Sequence, residues 1–304
     1  MRIGIFGGDV AAAGDLDGIV AGAAAARDDG FASYWLPQIF GVDALTALAL
    51  IGREVPDIEL GTAVVPTYPR HPMMLAAQAL TVQQATGGRL ALGIGLSHQF
   101  VIEAMFGLSF AKPIGHMKDY LSILGPLLHG ETVSYTGAHL STNGTISVPG
   151  AAPAPPILVA ALGTQMLRLT ARHAEGTVTW MTGPATLAEH IVPTITSAAK
   201  EAGRSTPPRI VAALPVCVTD DPESARALAA RAFSVYGELP SYRAMLDKEG
   251  VSGPADVAIV GAAAEVAAGI ARVKEAGVTE FVAVEFGADQ SERKATREVL
   301  QSLL

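Results

Sequence analysis

Short β-branched or apolar runs alternate along the chain with longer Ala- and Leu-rich segments whose apolar positions recur at helical spacing. A strand buried on both faces reads as an unbroken apolar run, and a helix covering it reads with a 3.6-residue period. The alternation therefore predicts β-α units around a parallel sheet. Strands are predicted at 2–6, 33–36, 58–65, 89–95, 157–161, 177–180, 209–218 and 280–285. Each is followed by a predicted helix, at 16–29, 44–54, 73–86, 100–106, 165–173, 186–202, 223–235 and 292–303. Eight such units suffice to close an α/β TIM barrel, whose active site lies where the strands end.

Two insertions interrupt the rhythm. After strand four, a helix at 117–128 precedes two strand-like runs, 132–135 and 140–148, around a turn at Gly137, which predicts an added β-hairpin. After strand seven come the segment 236–249 and a further helix at 262–276. Insertions on the strand-end face shape binding sites. The Pro- and Ala-rich stretch 149–156 is a candidate domain boundary, but a cut there would leave four strands on each side and the same rhythm continues beyond it. Residues 1–304 are accordingly read as one domain.

Composition narrows the picture. Half of the 304 residues are hydrophobic and only 16% are charged, so there is ample apolar surface for a folded core. The apolar runs 18–26 and 44–52 are nine residues each, too short to span a bilayer, and no membrane partner is expected. Met1 and Arg2 lead directly into a short β-like run and then Asp9, without the features of a signal peptide, which sets the expected location as cytoplasmic. With 21 basic and 29 acidic residues the net charge is −8 and no dense Lys/Arg run occurs, which argues against nucleic acid as a partner. The lone Cys217 lies in an apolar stretch and reads as a small buried hydrophobe.

Three familiar chemistries fail on the residues. Gly4, Gly7 and Gly8 after strand one, and Gly93 and Gly95 at the end of strand four, do not complete a G-x-G-x-x-G dinucleotide fingerprint, and the acidic residue expected on the next strand is absent. The seven histidines are scattered, without H-x-H or H-E-x-x-H spacing for a metal. The lysines fall in predicted helices or connections rather than at strand ends, which removes a Schiff-base nucleophile. What remains near the strand ends is Gln38, His98, Trp180 and Glu285, together with Gly163-Thr164-Gln165-Met166, which opens a helix. Free backbone N–H groups there suit a phosphate.

These residues carry a family resemblance. The run LGTAVVP from Leu60, followed by Arg70-His71-Pro72 and by TGGRLALGIG from Thr86, resembles the bacterial luciferase-like family of flavin and deazaflavin oxidoreductases. The likeness extends to WLP from Trp35, to the insertion at 131–137, to PILVAALG from Pro156 and to AEGTVTW from Ala174, and so covers nearly the whole chain. Gly95-Leu96-Ser97-His98 and the LGTQM run from Leu162 are more similar to the actinobacterial branch that uses coenzyme F420 than to true luciferases.

The resemblance implies a homodimer, with the Ala-rich faces of the second and third helices as candidate partners, and a deazaflavin F420 site. In that site Ala63 and Val64 would form a bulge with a non-proline cis peptide behind the ring. Gly163, Thr164, Gln165 and Met166 would take the phosphate, and Ser97 and His98 would line ring and substrate. Phe6, Gln38 and Trp180 complete the expected cofactor contacts. One departure matters. Alcohol-oxidising relatives often carry Asp-His at the end of strand two, whereas this chain has Gln38-Ile39, and isoleucine cannot transfer a proton. The acid/base role is therefore assigned to His98. Arg70 and His71 are expected to pack and cap, and His116 and Glu285 to be solvent-exposed or hydrogen-bonded. The implied activity is hydride transfer between F420 and an apolar organic substrate. The alternatives are an FMN-dependent two-component monooxygenase and a cofactor-binding protein without turnover.

Overall fold

The computed structural model describes residues 1–7 and 15–304; Gly8 and Asp9 of the sequence reading lie outside the described residues. Strand β1 (Arg2–Phe6) pairs in parallel with β2 (Ser33–Leu36) on one side and β8 (Glu280–Glu285) on the other. From β2 the ring continues through β3 (Glu59–Thr62), β4 (Leu90–Gly95), β5 (Ile157–Ala160), β6 (Gly176–Trp180) and β7 (Arg209–Val218). Pairing of β6 with β7, in register from Gly176 opposite Arg209, and of β7 with β8 closes a barrel of eight parallel strands. The hairpin of Val133–Thr136 and Ser141–Gly144 forms a separate small sheet, as the patterning predicts, though its second strand is shorter than 140–148.

Five local differences from the sequence reading have physical causes. The third run does not continue through 58–65. It stops at Thr62 and resumes as Val65–Pro66 against Ile94 and Gly95. Thr62 Oγ1 donates to Gly93 O at 2.7 Å and accepts from Gly93 N at 2.8 Å, so a side chain takes over the ladder while the backbone steps out at Ala63–Val64, whose peptide bond is cis. The 100–106 helix is a single wide turn, Val101–Met105, with i→i+5 bonding. The 186–202 helix opens with a similar turn, Leu187–Ile191, before Val192–Glu201. The 223–235 helix ends at Ala232 and a short one, Ser234–Glu238, follows; the next, Pro240–Glu249, starts at a proline that cannot continue its predecessor. Ile259–Gly261 adds a short strand beside Val216–Val218, invisible in the sequence because it has three residues and ends in glycine.

The barrel interior is filled by alternating large and small side chains, with Trp35 against Ala91, Leu158, Val211 and Ala213. Trp35 is accommodated by Gly61, where an added Cβ would lie 2.2 Å from its ring. The end where the strands begin is closed by charge. Glu280, fully buried, accepts from Ser33 Oγ at 2.5 Å and Trp35 Nε1 at 3.0 Å, and Arg209 bridges it to Glu59. The opposite end is open.

Candidate active site

A cavity of about 1060 Å³ occupies the open end. Its floor is made of small residues from the strand ends, among them Ala63, Val64, Gly95, Ala160, Val178 and Ala213. A Cβ on Gly95 would come within 2.6 Å of Val64 Cγ2, so glycine keeps this floor flat. Ser97 holds a left-handed backbone conformation (φ 60°), a costly one for a residue with a side chain and one that turns the chain at the cavity edge. His98 follows in the wall, where burial holds its imidazole below the ordinary histidine pKa and favours the neutral ring. Its ring lies 5.8 Å from that of Tyr242.

The structure brings Phe6, Gln38, Ala63, Val64, Ser97, His98, Gly163, Met166 and Trp180 together around this one cavity. Thr164 and Gln165 do not line it; both are exposed on the first turn of the helix Thr164–His173. Their contribution is through the backbone. Gly163 precedes that helix and has no side chain to cap it, so the N–H groups of the first turn have no side-chain acceptor at the cavity edge. Gln38 is partly committed elsewhere, its Oε1 accepting from Ala44 N at 2.8 Å.

Other candidates have structural duties. Arg70 pairs with Asp43 and donates to Gln78 Oε1 at 2.9 Å, and His71 caps the helix Pro72–Ala85 by accepting from Met73 N at 3.3 Å. His116 is buried, stacks on Tyr68 with ring centroids 3.9 Å apart and bonds Thr67 Oγ1 at 3.0 Å. Burial, with His139 adding repulsion, pushes its pKa down to about 4. Glu285 is tied to Arg297, and the Cys217 thiol is pushed up to about 12 by burial, which removes it as a nucleophile.

Sequence reasoning missed the wall supplied by the insertion after β7. Tyr236 and Tyr242 stand edge to face, centroids 5.1 Å apart, and Tyr236 meets Trp180 at 5.7 Å. Burial raises the pKa of both phenols, so they remain neutral donors. The available signal was the pair Tyr236 and Tyr242 in an insertion already assigned to the strand-end face, just after Phe233.

The arrangement fits a flat heteroaromatic cofactor bearing a phosphate. The glycine-kept floor leaves space that a Cβ would fill, and the uncapped helix end offers donors to an anion. Among the described residues no lysine or arginine lines the cavity.

A family model described as luciferase-like monooxygenase matches residues 1–280. The chain is 33% identical over 167 residues to a Mycobacterium tuberculosis protein provisionally named a coenzyme F420-dependent oxidoreductase, a match spanning 50% of this chain and 48% of that protein. It is 29% identical over 245 residues to a 5,10-methylenetetrahydromethanopterin reductase of Methanolobus tindarius, covering 79% of this chain and 73% of the relative. Thus the chain spans about half the length of the first of these relatives and nearly three quarters of the second. Among solved structures, an F420-dependent secondary alcohol dehydrogenase in complex with an F420–acetone adduct superposes with a TM-score of 0.84 at 18% identity over 98% of this chain and 97% of the other. The FMN complex of the oxygenating constituent of 3,6-diketocamphane monooxygenase, from Pseudomonas putida, gives 0.77 at 18% identity over 99% and 97%. At such identities the superpositions establish the fold.

Proposed function

Because the chain belongs to the luciferase-like monooxygenase family, we propose that its cavity binds coenzyme F420 and that the protein transfers a hydride between this cofactor and an organic substrate. The observation that carries the reading is the convergence, in one cavity, of the Ala63–Val64 step, the uncapped helix end after Gly163 and the half-buried His98. The name of the Mycobacterium relative carries coenzyme F420, and that of the Methanolobus relative is a reductase's.

When bound, F420 supplies the hydride donor or acceptor, and the protein supplies orientation, exclusion of water and proton handling. Ala63, Val64 and Gly95 would support the ring from below, with Phe6 and Trp180 at its border. The first-turn N–H groups at Thr164, Gln165 and Met166 would hold the phosphate. His98, whose partial burial favours the neutral ring, would accept the hydroxyl proton when an alcohol is oxidised and return it in the reverse direction. Ile39, at the mouth, offers no proton and contributes only apolar surface. The protein is further proposed to act as a homodimer in the cytoplasm on a small-molecule substrate.

Fluorescence titration of the purified protein with F420 and, separately, with FMN tests the reading. Saturable, selective F420 binding is the expected result. Selective FMN binding accompanied by oxygen consumption in the presence of a flavin reductase would replace it with two-component monooxygenase chemistry. Binding of neither would overturn both.

A further inference from the structure

The part of the cavity built by the insertion after β7 has a chemistry of its own. Its rings form a continuous arc: Phe6 stacks near Trp180 with centroids 6.3 Å apart, Trp180 meets Tyr236 at 5.7 Å, Tyr236 meets Tyr242 at 5.1 Å, and Tyr242 meets His98 at 5.8 Å. Such an arc presents ring edges and faces to whatever fills the space, which suits a flat aromatic guest. The Tyr236 hydroxyl lies beside the buried indole Nε1 of Trp180, so the wall also sets a polar pair among its rings.

The mouth carries the second observation. Phe40, Phe100 and Val235 line it while remaining 61%, 71% and 55% exposed, an apolar collar in contact with water. Scattered exposed apolar residues are ordinary, but a cluster around one opening marks a binding surface. The only charged side chains among the described lining residues are the carboxylates Glu103 and Glu238, and both are exposed at the mouth. Away from the helix end after Gly163, a negatively charged guest would meet these two like charges and no lysine or arginine.

We propose that the Trp180–Tyr236–Tyr242 arc is the substrate subsite and that it takes an uncharged, planar aromatic molecule, admitted through the Phe40–Phe100–Val235 collar and excluded when it carries an anionic group. This inference rests on the reading of the cavity as a cofactor-and-substrate site, but its chemistry is separable from the cofactor's identity.

A matched pair of fluorescent probes tests it on the purified protein without cofactor: 1-anilinonaphthalene, which is neutral, and 1-anilinonaphthalene-8-sulfonate, which has the same rings and one negative charge. With inorganic phosphate present to fill the helix end after Gly163, the neutral probe is expected to bind saturably at one site and at least about tenfold more tightly than the sulfonate, since a charge in the aromatic arc would find no partner. Tyr236→Ala should weaken the neutral probe, and so should Val235→Asp, a change at an exposed position that leaves the core untouched. Glu238→Lys should narrow the gap by helping the sulfonate. Equal or tighter binding of the sulfonate would overturn the proposal, as would neutral-probe binding that ignores both Tyr236→Ala and Val235→Asp. F420 titration of the same preparations separates the two readings. Loss of the cofactor result with retention of the probe preference would sink the cofactor reading alone, and the reverse would sink this one alone.

Discussion

Two histidines near the open end show how environment assigns different work to one residue type. His98 lies beside the Tyr242 ring and lines the cavity, whereas His116 is stacked on Tyr68, bonded to Thr67 and buried outside the cavity lining. His98→Ala is therefore expected to leave F420 affinity nearly unchanged and to lower kcat by about 10²- to 10⁴-fold on a substrate the parent protein turns over, the usual contribution of a positioned acid/base. A matching fall in F420 affinity would instead assign His98 to the ring. For His116 the consequence is one of stability. Its folded pKa of about 4 lies below the ordinary 6.5, so between those values the unfolded chain holds the proton and the folded one does not. The stabilisation is complete above pH 6.5 and is lost as pH falls towards 4, with an upper limit of about 3 kcal/mol from the size of the shift. Urea unfolding at pH 7.5 and pH 5 should show the loss in the parent protein and a smaller one in His116→Gln. An equal loss in both would assign the pH dependence to other groups, His98 and His173 among them.

At the scale of elements, the barrel is pinned at the end where its strands begin by one ion cluster. Arg209 on β7 pairs with Glu59 on β3 and Glu280 on β8, while Ser33 and Trp35 on β2 donate to the same Glu280 oxygen. Removing one member of a buried pair strands the other charge, at a cost of about 3–5 kcal/mol. Arg209→Met should approach that loss in urea unfolding, because Glu280 would remain fully buried beside Glu59 with, among the described residues, the half-exposed Arg2 as its remaining cation. Glu280→Gln should cost distinctly less, since an amide oxygen still accepts from Ser33 and Trp35 and Arg209 keeps Glu59. The reverse order would show that the carboxylate charge itself holds this end together. The eight strands were legible as short, largely apolar or β-branched runs; 2–6, 33–36, 209–218 and 280–285 match the observed bounds. The step at Ala63–Val64 and the wide turn at Val101–Met105 were not legible as strand and helix breaks, because periodicity records side-chain burial and not which carbonyl a given N–H reaches. The site divided in the same way. Residues at strand ends, such as Gly95, Ser97, His98 and Trp180, follow from strand placement, while Tyr236 and Tyr242 reach the cavity through an insertion whose path depends on the breaks around Phe233 and Pro240.

For the whole molecule, the barrel separates stability from recognition: charge is concentrated where the strands begin, and the cavity where they end is apolar with carboxylates only at its mouth. The chain's net charge is −8, so a phosphate-bearing cofactor approaches against a repulsive field. A site that gripped this anion with lysine or arginine would lose affinity steeply as salt screened the pairs. Here the proposed grip is by backbone N–H groups at the helix Thr164–His173, whose reach is short. Screening with a Debye length of about 10 Å at 0.1 M would then weaken the long-range repulsion more than the short-range attraction. F420 titrations across about 50 to 500 mM NaCl should accordingly show a dissociation constant that stays within about threefold or falls. A rise of about tenfold would mean that a basic side chain, drawn from outside the lining, clamps the phosphate, and the helix terminus would lose the role assigned to it.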